Sequence, residues 1–160
     1  MPSLELGPGE YVQHPDWVVM DIEQHPGVNL IGDAAKIPFE DNHFDRIEAK
    51  NILEHFSFNE TVNVLKEWNR VLKPDGAILI VVPLIGAAIK RYLEIDHLCS
   101  NLQWGLMGGQ RNKYDFHYTL FDEPYLKECL AKAGFVNTEV KSYYKDDFGN
   151  TCGIEVEAKK

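Results

Sequence analysis

Residues 3–22 read SLELGPGEYVQHPDWVVMDI, two short apolar runs separated by a glycine–proline turn and a polar stretch. The first run, Ser3–Leu6, is stopped by Gly7-Pro8-Gly9, and the second, Trp17–Ile22, is β-branched and apolar with Asp21 near its end. Glycines placed directly after a strand let the backbone approach a ligand closely. Between Gly9 and Trp17 lie only seven residues, Glu10–Asp16, one of them Pro15. A parallel crossover normally takes a dozen residues or more and usually contains a helix. Seven extended residues reach about 23 Å, enough to run back along a short strand but not to hold a helix as well. The spacing therefore predicts an extended crossover lacking the helix after the first strand. It leaves one face of the sheet thinly covered there.

Working outward, Val28–Ile31 reads as a short third strand ending at Gly32-Asp33, and Phe44–Ala49 as a weaker fourth. Ala77–Val82, AILIVV, is continuously apolar, as expected of a strand covered on both faces. Helices are expected over Glu60–Leu72, with Ser57 and Glu60 at capping-box spacing and Asn59 as a rival cap, and over Glu123–Ala133, capped by Asp122 and closed by Gly134. Cys129 falls on the apolar stripe of the second helix and reads as core. Asn137–Tyr144 and Cys152–Ala158 then form an antiparallel pair, with Gly149-Asn150 as a turn signal in the intervening Asp146–Asn150. The pattern is that of a single α/β domain over 1–160. Its Rossmann-like, doubly wound sheet is mostly parallel with a C-terminal antiparallel pair.

Composition narrows the function. The chain has 160 residues and a formal charge of −9, which argues against DNA or RNA as the main partner. The whole excess sits in residues 1–60, where Lys36, Arg46 and Lys50 face twelve acids. That imbalance fits a solvated acidic face or a pocket for a cationic or hydroxyl-rich ligand. Ala77–Ile89, the longest apolar stretch, is too short to span a membrane and is broken by Pro83 and Gly86. No signal or transit peptide is visible, and Cys99, Cys129 and Cys152 suggest neither a disulfide framework nor a zinc site, so a cytoplasmic location is expected.

The dinucleotide fingerprint GxGxxG is absent because position 12 is Val, and no helix N-terminus follows to receive a pyrophosphate. Asp21 ends the second strand and Asp33 follows the third. In a doubly wound sheet these positions lie at the ligand-binding edge, where carboxylates accept hydrogen bonds from ribose hydroxyls or an amino group. A nucleoside site without a phosphate site is the reading that results.

The segments LELGPG (4–9), HPDWVVMDIE (14–23), GDAAKIPFEDNHFDRI (32–47), NILEHF (51–56), LKEWNRVLKPDGAILIVVP (65–83) and GGQRNKYDFHYTLF…LKECLAKAGF (108–135) occur in an order that resembles the class I S-adenosylmethionine-dependent methyltransferases, specifically a compact, methyltransferase type 11-like group. The resemblance implies that Glu5, Gly7 and Gly9 line the methionine and ribose side of the cofactor S-adenosylmethionine. It places Asp21 on the ribose hydroxyls, with Glu23 as a substitute, Asp33 on the adenine amino group and Ala34 against the ring. Asn51 and Leu53 would flank the sulfonium. The chain departs from the broader class in lacking a third motif glycine and the first helix, and in carrying Asp75 where glycine is common.

Methyl transfer from a sulfonium is an in-line displacement that mainly requires positioning, with a general base where the acceptor is a hydroxyl. His55 follows the fourth strand, and His117 lies in the segment expected to arch over the same edge, with Asp115 placed to orient it. These two histidines are the catalytic candidates. Gln110, Arg111, Tyr114 and Asp115, in the long loop Trp104–Tyr118, are the acceptor-binding candidates. His14, His25, His43 and His97 read as loop residues, and no metal is assigned. The expected activity is methylation of a small molecule, with a sugar or polysaccharide-precursor hydroxyl suggested by the group resembled. A non-catalytic nucleoside-binding or interaction module with the same fold is the rival reading. The thinly covered sheet face is a candidate homodimer surface.

Overall fold

The computed structural model describes residues 1–145 and 151–160. The first four strands are β1 (Ser3–Leu6), β2 (Val18–Asp21), β3 (Leu30–Ile31) and β4 (Phe44–Lys50). After helix α1 (Thr61–Val71) and strand β5 (Leu72–Pro83) come α2 (Ile85–Ile95), α3 (Ser100–Met107) and α4 (Glu123–Lys132), then β6 (Val136–Lys145) and β7 (Thr151–Lys159). They form one seven-stranded sheet in the order β3-β2-β1-β4-β5-β7-β6. The first five strands run parallel, and β7 is antiparallel to both β5 and β6. The doubly wound expectation and the C-terminal antiparallel pair both hold. The turn expected over Asp146–Asn150 lies outside the described residues.

The β1–β2 crossover contains turns but no helix. It is held by a side chain of the sheet itself: the Glu5 carboxylate accepts hydrogen bonds from the amides of Gln13 and His14, at 3.0 Å each. β3 is shorter than its apolar pattern suggested because Asn29 does the pairing that a strand would do. Its amide and side-chain oxygen engage the carbonyl and amide of Val19, and its Nδ2 donates to the Trp17 carbonyl. β5 pairs with β4 at Leu72 and again from Ala77 onward. The intervening Lys73–Gly76 bulges out, with Asp75 at φ 64°, a left-handed conformation that Asp tolerates better than most residues.

Strand alternation sorts the sheet into two faces. Leu4, Leu6, Met20, Ile47, Ala49, Ile78, Ile80, Val82, Ile154 and Val156 project to one side and form a single core with α1 and α4. Val64, Leu65, Trp68 and Val71 of α1 and Leu126, Cys129 and Leu130 of α4 are all buried, so Cys129 is core. Asp122 caps α4 by accepting from the Tyr125 amide at 2.8 Å. The α1 capping box does not form. Instead the Ser57 carbonyl accepts from the amides of Glu60 and Thr61 and from the Thr61 hydroxyl.

The opposite face carries Arg46, Glu48 and Lys50 of β4 beside Glu155 and Glu157 of β7. The Glu48 carboxylate is met by His14 Nε2, Arg46 Nε and Lys50 Nζ, each at 3.0 Å. Arg46 reaches on to Glu157 at 3.1 Å, and His14 stacks on Trp17. This side is thus covered by the crossover and by charged side chains laid along it.

The sequence pattern predicts neither helix α2 nor helix α3, and α3 runs into the start of the long loop expected over Trp104–Tyr118. α2 packs on β7, and α3 on α2. No residue of α2 is buried, and neither helix has a side-chain N-cap, so both lack the usual start signal. No described helix is long and apolar enough to cross a membrane.

Candidate active site

The parallel strands end together at one edge of the sheet, and a cavity of about 830 Å³ opens there. Its floor is the turn after β1. Gly7 has φ +60°, and a Cβ on it would lie 2.4 Å from Ile52 Cδ1, so the position requires glycine. Gly9 also has positive φ, but a Cβ there would meet open space. The turn is fixed by the Gly7 amide donating to the Met20 carbonyl and the Gly9 amide donating to Asp21 Oδ2, at 2.8 and 2.9 Å. Asp21 is buried and accepts a second bond from the Glu23 amide at Oδ1. Each carboxylate oxygen has capacity for a further donor. Glu5 also lines the cavity, but its oxygens already serve the crossover amides.

Asp33 Oδ1 accepts from the Ala35 amide at 2.8 Å, turning the chain so that Asp33 and Ala34 both line the cavity. The Ala34 carbonyl is held from behind by Trp68 Nε1 at 2.9 Å. Asn51 follows β4 at φ 52°, its amide bound to the Val81 carbonyl, and lines the same space. Leu53 does not. It is fully buried in the core, because the 3-10 turn Leu53–His55 aims it toward the apolar face. That placement corrects its assignment beside the sulfonium.

The far wall is a strap, residues 108–118, that crosses above the 3-10 turn. The Glu54 carbonyl accepts from the amides of Tyr118 and Thr119, at 2.8 and 3.1 Å, and Thr119 Oγ1 donates to the Phe56 carbonyl. At its outer end, Asn112 Nδ2 donates to Glu23 Oε2 at 2.8 Å. Gly108 and Gly109 permit the tight fold of the strap, since a Cβ on either would meet Asp115 at 2.4 or 2.6 Å. Arg111, Tyr114 and Asp115 line the cavity, whereas Gln110 is exposed and does not.

Asp115 does not orient His117. Its carboxylate takes Arg111 Nε at 2.6 Å, and this hydrogen bond outweighs burial and holds it below the ordinary carboxylate range. The His117 ring is fixed instead by the Gly105 carbonyl at Nδ1, 3.1 Å, and the His55 ring by the Phe116 carbonyl at Nδ1, 3.0 Å. A ring nitrogen facing a carbonyl must carry the proton, so each neutral ring keeps its lone pair on Nε2. The rings meet edge to face, 5.0 Å between centroids. Burial, followed by the charge of His55, lowers the pKa of His117, which favours the neutral form.

Sequence reasoning overlooked Glu54. It is 1% exposed, its Oε2 has no hydrogen-bond partner, and burial raises its pKa to about 8. The one available sign was an acid framed by Leu53 and Phe56, in a segment whose neighbours turn inward. Around the cavity as a whole, carboxylates such as Glu5, Asp21, Glu23 and Asp33 outnumber the basic Lys50, Arg111 and Lys113. The early acidic excess is therefore partly a property of the site.

Comparison with known proteins agrees with this geometry. Residues 10–80 match the family model described as a methyltransferase domain. Demethylmenaquinone methyltransferase of Staphylococcus saprophyticus is 28% identical over 126 residues, covering 70% of this chain and 50% of that protein. The chain thus spans about half the length of the curated relatives it matches. A methyltransferase from Archaeoglobus fulgidus, described as SAM-dependent, superposes with a TM-score of 0.72 at 13% identity, covering 99% of this chain and 86% of the other. The 1,6-didemethyltoxoflavin-N1-methyltransferase of Burkholderia thailandensis, solved with 1,6-didemethyltoxoflavin and S-adenosylhomocysteine, superposes with a TM-score of 0.63 at 17% identity, covering 99% and 70%. Strand order, the match over residues 10–80 and superposition along nearly the whole length agree: the chain has the class I S-adenosylmethionine-dependent methyltransferase fold.

Proposed function

We propose that this chain is an S-adenosylmethionine-dependent methyltransferase acting on a small, polar acceptor, with a sugar or sugar-precursor hydroxyl as the acceptor class. The carrying observation is that one cavity of about 830 Å³ is lined both by the Gly7–Gly9 turn with Asp21 and Asp33 and by a pair of histidines with open Nε2 lone pairs. That volume lies in the upper part of the range for small-molecule sites, room for a cofactor and an acceptor together.

The residues present suit the cofactor. Gly7 and Gly9 keep the turn low, Asp21 accepts from ribose hydroxyls, and Asp33 and the Ala34 backbone meet the base. The acidic lining suits a ligand carrying a sulfonium and an ammonium. When bound, S-adenosylmethionine supplies an electrophilic methyl group. The protein then needs to align the acceptor and remove its proton. His55 and His117 face that role through Nε2. Arg111, Tyr114 and Asp115 present a polar wall suited to a hydroxylated acceptor, which supports a sugar over a lipophilic ring.

Calorimetric titration with S-adenosylmethionine and S-adenosylhomocysteine tests the reading. Both should bind, and Asp21→Ala should weaken each by about 10–100-fold, the worth of hydrogen bonds to a charged group. Absence of binding at millimolar ligand would sink the proposal. Acceptor panels of sugars and of quinones, followed by S-adenosylhomocysteine release, then separate the acceptor classes, and turnover with quinones alone would overturn the sugar assignment.

A further inference from the structure

Glu54, His55 and His117 each offer one ligand atom, and these atoms lie within 4.8 Å of one another. Among the described residues no other group of three His, Cys, Asp or Glu side chains converges in this way. Two of the ligands are adjacent in the 3-10 turn after β4, and the third comes from the strap that is hydrogen-bonded onto that same turn. The arrangement is therefore built from two segments that the fold holds together.

Two further observations point to a ligand. Glu54 Oε2 is buried without a partner, although nearly all buried polar atoms in folded proteins have one. Both imidazoles donate Nδ1–H to a backbone carbonyl. Carbonyl partners of this kind fix the tautomer and orientation of metal-bound histidines and leave Nε2 as the donor atom. We propose that Glu54, His55 and His117 bind one first-row divalent transition-metal ion at the acceptor end of the cavity. Two imidazoles and one carboxylate suit Zn²⁺, Fe²⁺ or Mn²⁺ better than Mg²⁺ or Ca²⁺, which prefer oxygen donors. Ligands about 2.0–2.1 Å from a shared tetrahedral ion sit about 3.4 Å apart, so binding draws the three side chains inward by about an ångström. Three protein ligands leave positions open, and an oxygen atom of the acceptor fills one; with both Nε2 atoms on the ion, the ion takes over from the free imidazoles and activates the acceptor hydroxyl by lowering its pKa. That last assignment rests on the methyltransferase reading; the ion site itself does not.

The test uses the full chain, stripped with a chelator and dialysed, then titrated with Zn²⁺ by calorimetry and with Co²⁺ by visible absorption. One ion per chain should bind, with a Co²⁺ spectrum of nitrogen and oxygen ligation. Glu54→Gln and His117→Gln should each weaken binding by about 100-fold or more, beyond the 10–100-fold typical of outer-shell partners. The double variant His43→Gln/His97→Gln, remote from the cluster, should bind as the wild type does. No stoichiometric binding by the wild type overturns the site. So does binding that survives both cluster substitutions or disappears in the His43/His97 control. Should the cluster variants fail to fold by circular dichroism, the wild-type Co²⁺ spectrum decides alone, and its absence overturns the proposal. Separate titration with S-adenosylhomocysteine keeps the two readings apart. Cofactor binding without ion binding removes the ion site only, and ion binding without cofactor binding removes the methyltransferase reading only.

Discussion

The two faces of the sheet reach burial by opposite means. On one, Leu4, Leu6, Ile47, Ile78 and Ile80 meet α1 and α4 in a continuous hydrocarbon core. On the other, Val19, Leu79 and Val81 are also buried but stand outside that core. They share that face with the charged lattice centred on Glu48, Leu79 standing beside Glu48, Val81 beside Lys50 and Val19 beside Glu5. Apolar strand residues can thus be removed from water by the aliphatic stems of Arg and Lys when a helix is missing, provided the charged ends find partners. The first face draws stability from packing. The second depends on a set of charges that water, salt and protons can reach.

The largest expected effect sharpens this contrast on the packed side. Trp68 is fully buried and also tethers the Ala34 carbonyl. Trp68→Ala should cost about 3–5 kcal/mol in denaturant unfolding, nearly independent of salt. On the lattice side, Glu48→Gln removes one charge from among three basic partners. It should cost about 1–3 kcal/mol, less than full burial would imply because Arg46, Lys50 and His14 remain partly exposed. Its cost should shrink measurably in about 0.5 M salt. Equal salt dependence of the two variants would break the comparison.

The smallest effect is in the acid limb. Burial alone would raise the pKa of Glu48, but the hydrogen bonds from Lys50, Arg46 and His14 outweigh it, so the net shift is downward. A carboxylate with a depressed folded pKa stabilises the protein above its ordinary value, 4.5, and that contribution is lost as pH falls through the folded value. Unfolding free energies of the wild type should therefore decline below about pH 4.5 more steeply than those of Glu48→Gln. Parallel acid limbs would show that Glu48 is not the centre of the lattice.

Much of this was legible in the residues. The runs WVVMDI and AILIVV announce strands, and the seven-residue gap before Trp17 already excludes a helix. Asp21, Asp33 and the glycine turn reach the cavity because strand ends in this topology converge on one edge, which local pattern predicts. What failed depended on contacts distant in sequence. Leu53 was turned into the core by the 3-10 turn, and Glu54 became buried where the strap at Tyr118 and Thr119 closed over that turn. Asp115 was drawn to Arg111 rather than to His117. α2 and α3 escaped notice because Leu84 and Cys99 are not capping residues, and because Asp96 in the left-handed conformation, not glycine, ends α2.

The helix-free crossover also bears on how the chain folds. Only residues 7–17 separate β1 from β2, and the four strands β1–β4 fall within residues 3–50. Each doubling of a loop costs about 0.6 kcal/mol in closure entropy, and rates fall as contacts become more distant in sequence. Parallel pairing, ordinarily a slow step, here needs little chain to be gathered. The Gly7–Gly9 turn belongs to one of the two most local parallel pairings, β1 with β2, whereas the far edge of β5 is covered by β7, seventy or more residues further along the chain.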